Sequence, residues 1–171
     1  MLTGEDLIAR LNLQPHPKEG GFFRETYRSG EQYPETTFPG RYGGARSFGT
    51  AIYYLLTSST FSALHRLASD EIFHFYLGSP VRMLQLFPDG QGRTLVLGPD
   101  ILAGQRPQVL VPRGTWQGSF LEPRSHDDFA LLGCTVAPGF DYADYETGDR
   151  ADLLRQYPAQ ADLIRRLTTD K

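Results

Sequence analysis

Between Ala45 and Gly139 the sequence leaves little room for anything but antiparallel β-structure. ARSFGTAIYYLLT, FSALHRL, EIFHFYL, VRMLQLF, RTLVL, PQVLVP, TWQGSFL and DFALLGCTVAPG follow one another, broken by Pro88-Asp89-Gly90, Gly98-Pro99-Asp100 and similar turns. With GGFFRETYRS upstream, this makes about nine strands at hairpin spacing. A parallel sheet needs a crossover of a dozen or more residues between strands, usually a helix, and no segment here is long enough to supply one. Composition agrees: eleven Phe and nine Tyr beside 18 Gly and 12 Pro describe short strands punctuated by turns. Residues 1–171 show no repeat, low-complexity tract or linker, so the expectation is a single all-β domain, sandwich or barrel.

Helices are confined to the ends. Thr3 is placed to cap a helix, with Asp6 reaching back to it. Leu7, Ile8 and Leu11 form an apolar stripe, and Pro15 and Pro17 forbid continuation. ADLLRQYP and AQADLIRRL read as two short C-terminal helices. In GGFFRETYRS, strict alternation puts Phe23, Glu25 and Tyr27 on one face and Phe22, Arg24, Thr26 and Arg28 on the other. Gly30 to Gly44 reads as a loop long enough to act as a lid or binding loop.

Several function classes are excluded early. A formal charge of −3 gives no basic footprint for nucleic acid. No apolar run approaches the ~20 residues of a membrane span, and MLTGEDLIARLNL carries acids where a signal peptide needs a basic start. One cysteine, Cys134, cannot form an internal disulfide, which suits a reducing, cytoplasmic location. Cys134 lies in the apolar run ALLGCTV and reads as buried. His16, between two prolines, and His126, beside Asp127-Asp128, read as exposed loop residues. FDYADYE reads as a solvated segment packing its aromatics down, with acids that would repel anionic ligands from a nearby pocket.

The chemistry concentrates in FSALHRLASDEIFHFYLG. Ser69-Asp70 separates two strands, with His65 near the end of one and Glu71 opening the next. A histidine and a carboxylate meeting at a strand turn can bind a ligand, hold a metal or move a proton. By strand parity His74 lies on the face opposite Glu71 and joins it only through a bulge. Glu25 sits among aromatics, where pocket duty and an ion pair with Arg28 or Arg46 are the alternatives. The Arg46 fork would suit a phosphate or carboxylate.

The order His65-x-Leu67-x3-Glu71-x6-Gly78 resembles the first motif of the cupin superfamily, Gly-x5-His-x-His-x3-4-Glu-x6-Gly, with Ser59 and Leu67 at its first glycine and second histidine. Pro112-Arg113-Gly114-Thr115-Trp116-Gln117 resembles the second, with Gln117 at the histidine position and Leu121 at the asparagine position. GGFFRETYRS, IYYLLT, VPRGTWQG and GCTVAPGFDYADYE, in that order, further resemble the cupin family described as predicted sugar epimerases. The resemblance implies a cupin double-stranded β-helix, a jelly roll with short N- and C-terminal helices, pairing as a homodimer. It implies a barrel pocket lined by His65, Glu71 and Gln117, with Glu25 and His74 nearby. Trp116 would either stack on a sugar or fill the barrel. Metal cupins offer three histidines and a glutamate; with Leu67 and Gln117 replacing two of these, no cofactor is expected beyond a weakly held divalent ion. Related dTDP-keto-deoxysugar epimerases work without metal, using a histidine base and a tyrosine acid. By that analogy His65 is the base, its tautomer fixed by Glu71, and Tyr27, Tyr53 or Tyr76 the acid. The expected ligand is a small polar metabolite, a sugar or nucleotide sugar. The competing readings are a binding module without turnover and a metal-dependent cupin.

Overall fold

The structure is a computed structural model describing residues 2–122 and 128–169; His126 and Asp127 lie outside the described residues. Helix α1 (Gly4–Leu11) starts at a capping box: the Thr3 hydroxyl accepts from the Asp6 amide at 3.1 Å, and the Asp6 carboxylate accepts from the Thr3 amide at 3.0 Å. Such a cap contributes about 1 kcal/mol. The helix stops at Asn12, in the left-handed region with φ 52°.

Strands β1 (Gln14–Pro15), β2 (Phe22–Arg28), β3 (Gln32–Tyr33), β4 (Arg46–Ser47), β5 (Thr50–Thr57), β6 (Phe61–Arg66), β7 (Asp70–Gly78), β8 (Val81–Leu86), β9 (Gly92–Leu97), β10 (Gln108–Val111), β11 (Trp116–Leu121), β12 (Phe129–Ala137) and β13 (Glu146–Thr147) follow, then helices α2 (Arg150–Gln156) and α3 (Ala161–Arg166). Leaving aside the two-residue strands, these are the segments read from the sequence. They form a six-stranded sheet in the order β1-β2-β5-β12-β7-β10 and a five-stranded sheet in the order β13-β6-β11-β8-β9. All the strand pairings within both sheets are antiparallel.

Alternation decides what lies between the sheets. Tyr54 and Leu56 of β5, Phe73 of β7, Met83 of β8 and Leu132 and Cys134 of β12 point inward into one apolar core. The outer face of the five-stranded sheet is covered by α2 and α3, whose Leu153 and Ile164 pack with Leu64, Leu84, Trp116 and Phe120. The six-stranded sheet is covered at one end by α1, through Leu7 against Leu55 and Leu131.

Two irregularities matter for the site. Between β2 and β5 the register shifts across Glu25 and Tyr27, leaving Thr26 as an extra residue. The expected face therefore holds only as far as Glu25. Beyond the bulge Arg28 turns toward the interior, and Tyr27 turns out and is 57% exposed. Between β6 and β11 a second shift beside Gly118 lets Ser62 and His65 face the same side. A Cβ on Gly118 would stand 3.1 Å from Leu64 Cγ and from the Ser62 carbonyl. The Gly30–Gly44 loop contains the short strand β3 and lands on the β6–β7 turn, where the Tyr42 hydroxyl lies 2.8 Å from Ser69 Oγ.

Candidate functional site

A half-open cavity of about 260 Å³ lies against the inner face of the six-stranded sheet, lined from β2, β5, β7 and β12. Its polar floor is Glu71 and Glu19, its walls include Phe23, Ile52 and Phe140, and Glu25, Arg28 and Asp141 stand around it.

Glu71 faces inward because it shares the parity of Phe73, one pleat further along β7. Its carboxylate accepts from the Gln117 amide and from the Cys134 thiol. Burial, reinforced by the neighbouring Glu19, pushes its pKa up from the ordinary 4.5 to about 7, against the pull of His65, Gln117 and Cys134. A carboxyl of this kind exchanges a proton near neutral pH. Gln117 lies opposite His65 in the β6–β11 register, and its Oε1 is buried with no hydrogen-bond partner.

His65 sits one layer behind the cavity wall, 1% exposed and stacked on Tyr145 with ring centroids 5.0 Å apart. Its Nδ1 lies 2.7 Å from the Ala63 carbonyl. A carbonyl only accepts, so Nδ1 carries the proton and Nε2 the lone pair. The backbone, not Glu71, therefore fixes this tautomer. Nε2 instead faces Glu19 Oε1 at 3.5 Å. Burial lowers the pKa of His65, offset by Glu71 and by the Ala63 carbonyl.

Glu19 was not legible as a site residue, and the glycines after it explain its position. Gly20 and Gly21 adopt φ of +90° and +69°, and a Cβ there would stand 2.5 Å from the Phe61 carbonyl and 2.7 Å from the Leu55 carbonyl. Only glycine lets the backbone approach this closely. The Ala63 amide then donates to the Glu19 carbonyl at 2.8 Å, and the side chain drops into the cavity. Burial raises its pKa, against the effects of His16 and the Ser62 hydroxyl.

His16 is a correction. It is 9% exposed and lines the cavity, because its ring folds back over the turn that follows. Its Nδ1 accepts from the Glu19 amide at 2.9 Å, which leaves the neutral ring's proton on Nε2, 3.6 Å from Glu19 Oε1. Burial lowers its pKa, opposed by Glu19.

The remaining residues singled out in the sequence divide clearly. Glu25 does both things asked of it: it lines the cavity and is clamped by Arg28, with Nε–Oε1 at 2.9 Å and Nη2–Oε2 at 2.7 Å. His74 lies on the outer face of the six-stranded sheet, its Nε2 3.1 Å from the Thr135 hydroxyl, because no bulge intervenes between it and Glu71. Trp116 points the other way from its neighbour Gln117, under α2 and α3. Arg46 is buried in a bidentate pair with Asp144, at 2.7 and 2.6 Å, outside the cavity lining. None of the three expected tyrosines reaches the cavity: Tyr53 and Tyr76 meet each other on the outer face, and Tyr27 is turned out by the bulge. The tyrosine in the cavity wall is Tyr142, from the FDYADYE segment.

Leu67 stands where a metal cupin would have a ligand, and it cannot coordinate. Gln117 already directs its amide nitrogen at Glu71. This donor set does not fit a three-histidine centre. Among the described residues no group of three or more His, Cys, Asp and Glu is arranged to hold a metal ion. Leu67 also walls a separate open cleft of about 580 Å³ that carries Arg41, Arg66 and Arg113.

Comparison with known proteins gives a consistent picture. Residues 5–148 match the family described as Cupin superfamily (DUF985). The chain is 33% identical over 147 residues to the uncharacterized protein YML079W of Saccharomyces cerevisiae, covering 82% of this chain and 73% of that one. Protein SO0799 of Shewanella oneidensis superposes with a TM-score of 0.87 at 36% identity, covering all of both chains. A hypothetical protein from Leishmania major gives 0.88 at 32%, covering 99% of this chain and all of that one.

Proposed function

This chain belongs to the cupin superfamily, family DUF985, and from its cavity we propose a metal-independent epimerase or isomerase acting on a small carbohydrate-like carbonyl compound. The observation that carries the reading is Glu71, a buried carboxyl facing the cavity with its pKa at about 7. In this reading Glu71, not the enclosed His65, is the base. The C–H bond next to the ligand carbonyl breaks, and its proton goes to Glu71. The electron pair moves to the carbonyl oxygen, which takes the proton held by Glu19. In isomerisation Glu71 returns its proton to the neighbouring carbon while Glu19 recovers a proton from that carbon's hydroxyl. In epimerisation water delivers the proton to the other face, Glu19 recovers its own from the enol and Glu71 passes the abstracted proton to solvent. His65 and His16 act as positioning residues that hold the Glu19 carboxyl between a lone pair and an N–H.

A second reading, binding without turnover, is favoured by one observation: Glu71 already has hydrogen-bond donors within the protein, from Gln117 and Cys134. The two readings separate in deuterated water. Aldoses and ketoses incubated with the protein are followed by proton NMR for loss of the signal next to the carbonyl. Exchange that disappears in Glu71→Gln supports the enzyme. Exchange that survives this substitution removes Glu71 from the chemistry, and no exchange with any sugar leaves the binding module. We also propose a homodimer formed on the outer face of the six-stranded sheet, where Tyr76 and Leu110 are 50% and 49% exposed; light scattering at micromolar concentration reads its mass.

A further inference from the structure

We infer that the cavity selects a ligand carrying an ammonium group, an amino sugar or similar small amine, and rejects phosphorylated and nucleotide-linked sugars. The inference rests on the small-carbonyl reading only for the rest of the ligand; the charge preference stands on the walls themselves.

The cavity lining contains four carboxyl groups, Glu19, Glu25, Glu71 and Asp141, and one guanidinium, Arg28. Four of the five N–H groups of that guanidinium are engaged. Nε and Nη2 donate to the two Glu25 oxygens, and Nη1 and Nη2 donate to the Phe140 carbonyl at 3.1 Å. Among the described residues of the lining, no unpaired cation is left to meet a phosphate; the Lys18 ammonium stands outside the lining, at the rim over Tyr142 and Tyr145. The two imidazole groups of the cluster do not change this balance, since burial holds both toward the neutral form.

The apolar part of the wall is also suited to a cation. Phe23, Phe140 and Tyr142 present aromatic surface to the cavity, and aromatic faces attract ammonium groups within about 6 Å. The chain itself demonstrates this at the rim, where the Lys18 ammonium lies 5.4 Å from the Tyr142 centroid and 5.2 Å from that of Tyr145. Size points the same way. At about 260 Å³ the cavity lies just below the ~300–1,000 Å³ common for ligand sites, so its walls hold a single sugar ring and would leave the nucleotide of a nucleotide sugar outside them.

Binding of a cation beside Glu71 favours its ionised form, so at pH 6.5 the complex releases protons that this carboxyl, with its pKa at about 7, holds in the free protein. This gives a signature that a neutral sugar lacks. The test is calorimetric titration of the full chain with glucosamine, glucose and glucuronate, three rings of similar size and different charge, at pH 6.5. Each is run in two buffers of different ionisation enthalpy. The expected result is glucosamine binding at least ~10-fold tighter than glucose, no detectable glucuronate binding, and proton release only with glucosamine. Asp141→Asn, at an exposed rim position, should weaken glucosamine about 2- to 5-fold and glucose by less, narrowing the preference between the two. Equal affinity for glucose, binding of glucuronate, glucosamine binding without proton release, or no binding by any of the three would overturn the inference. Tight glucosamine binding without deuterium exchange would keep the charge preference and remove the epimerase. Exchange with glucose at equal affinity would do the reverse.

Discussion

Glu71→Gln is the most informative single change, because it is close to isosteric and removes one ionisation from a dry site. In the folded protein Glu71 holds its proton up to about pH 7, whereas an unfolded chain releases it near 4.5. A group whose folded pKa is raised contributes stability that is present below the unfolded value and lost as pH rises through the folded one. At about 1.4 kcal/mol per pH unit, this displacement amounts to ~3 kcal/mol lost between pH 4.5 and about 7. The introduced amide has no proton to lose, and the orphaned Gln117 Oε1 can accept from it. The assay is urea unfolding of both proteins at pH 5 and pH 8, with m-values checked for equality. The stability of the variant relative to the parent should rise by about 2–3 kcal/mol between the two conditions. His16 and His65 act in the opposite sense: their lowered pKa values give stability that is present above 6.5 and lost as pH falls. The His16 effect is common to both proteins, whereas Glu71→Gln removes the carboxylate that opposes the lowering at His65, so the His65 loss at low pH deepens in the variant and adds to the expected rise in the same direction. A relative stability that stays constant from pH 5 to pH 8 would mean that Glu71 titrates normally, and the proposed proton chemistry would lose its basis.

Two further outcomes are expected. Asp144→Ala strands the buried Arg46 guanidinium and should cost about 3–5 kcal/mol in the same unfolding assay; a loss below ~1 kcal/mol would show that water reaches this pair. Protein purified without chelator should carry far less than one equivalent of transition metal by elemental analysis, whereas Leu67→His combined with Gln117→His should take up zinc or nickel. Stoichiometric metal in the parent would mean that the donor set has been misjudged.

The β-segments were legible because alternation and turn chemistry act locally, and the capping box of α1 is equally local. His65, Glu71 and Gln117 were singled out by their resemblance to the cupin motifs; Gln117 lies on Glu71 and opposite His65, but of the three only Glu71 lines the cavity. What could not be read depended on departures from regular geometry. The extra residue at Thr26 inverts the parity of β2, exchanging Tyr27 for Arg28 at the cavity. Gly20-Gly21 has no side chain to announce a role, yet it is the tight approach that delivers Glu19. His16 seemed stranded between prolines, because nothing in the sequence says that its ring caps its own turn. TWQGSFL is buried on both faces, so no alternation reveals that Trp116 and Gln117 face different layers.

Leu67 is a partition as well as a substituted ligand position: one side of it closes the acidic cavity, and the other borders the arginine-bearing cleft. A single side chain thus stands in both walls. Trimming it to glycine is expected to thin that partition, beyond which Arg41 and Arg113 border the cleft while Arg66 is held by Glu146. The thickness of the partition then depends on the bulk of one residue, a property that can change without disturbing the strands that build the barrel.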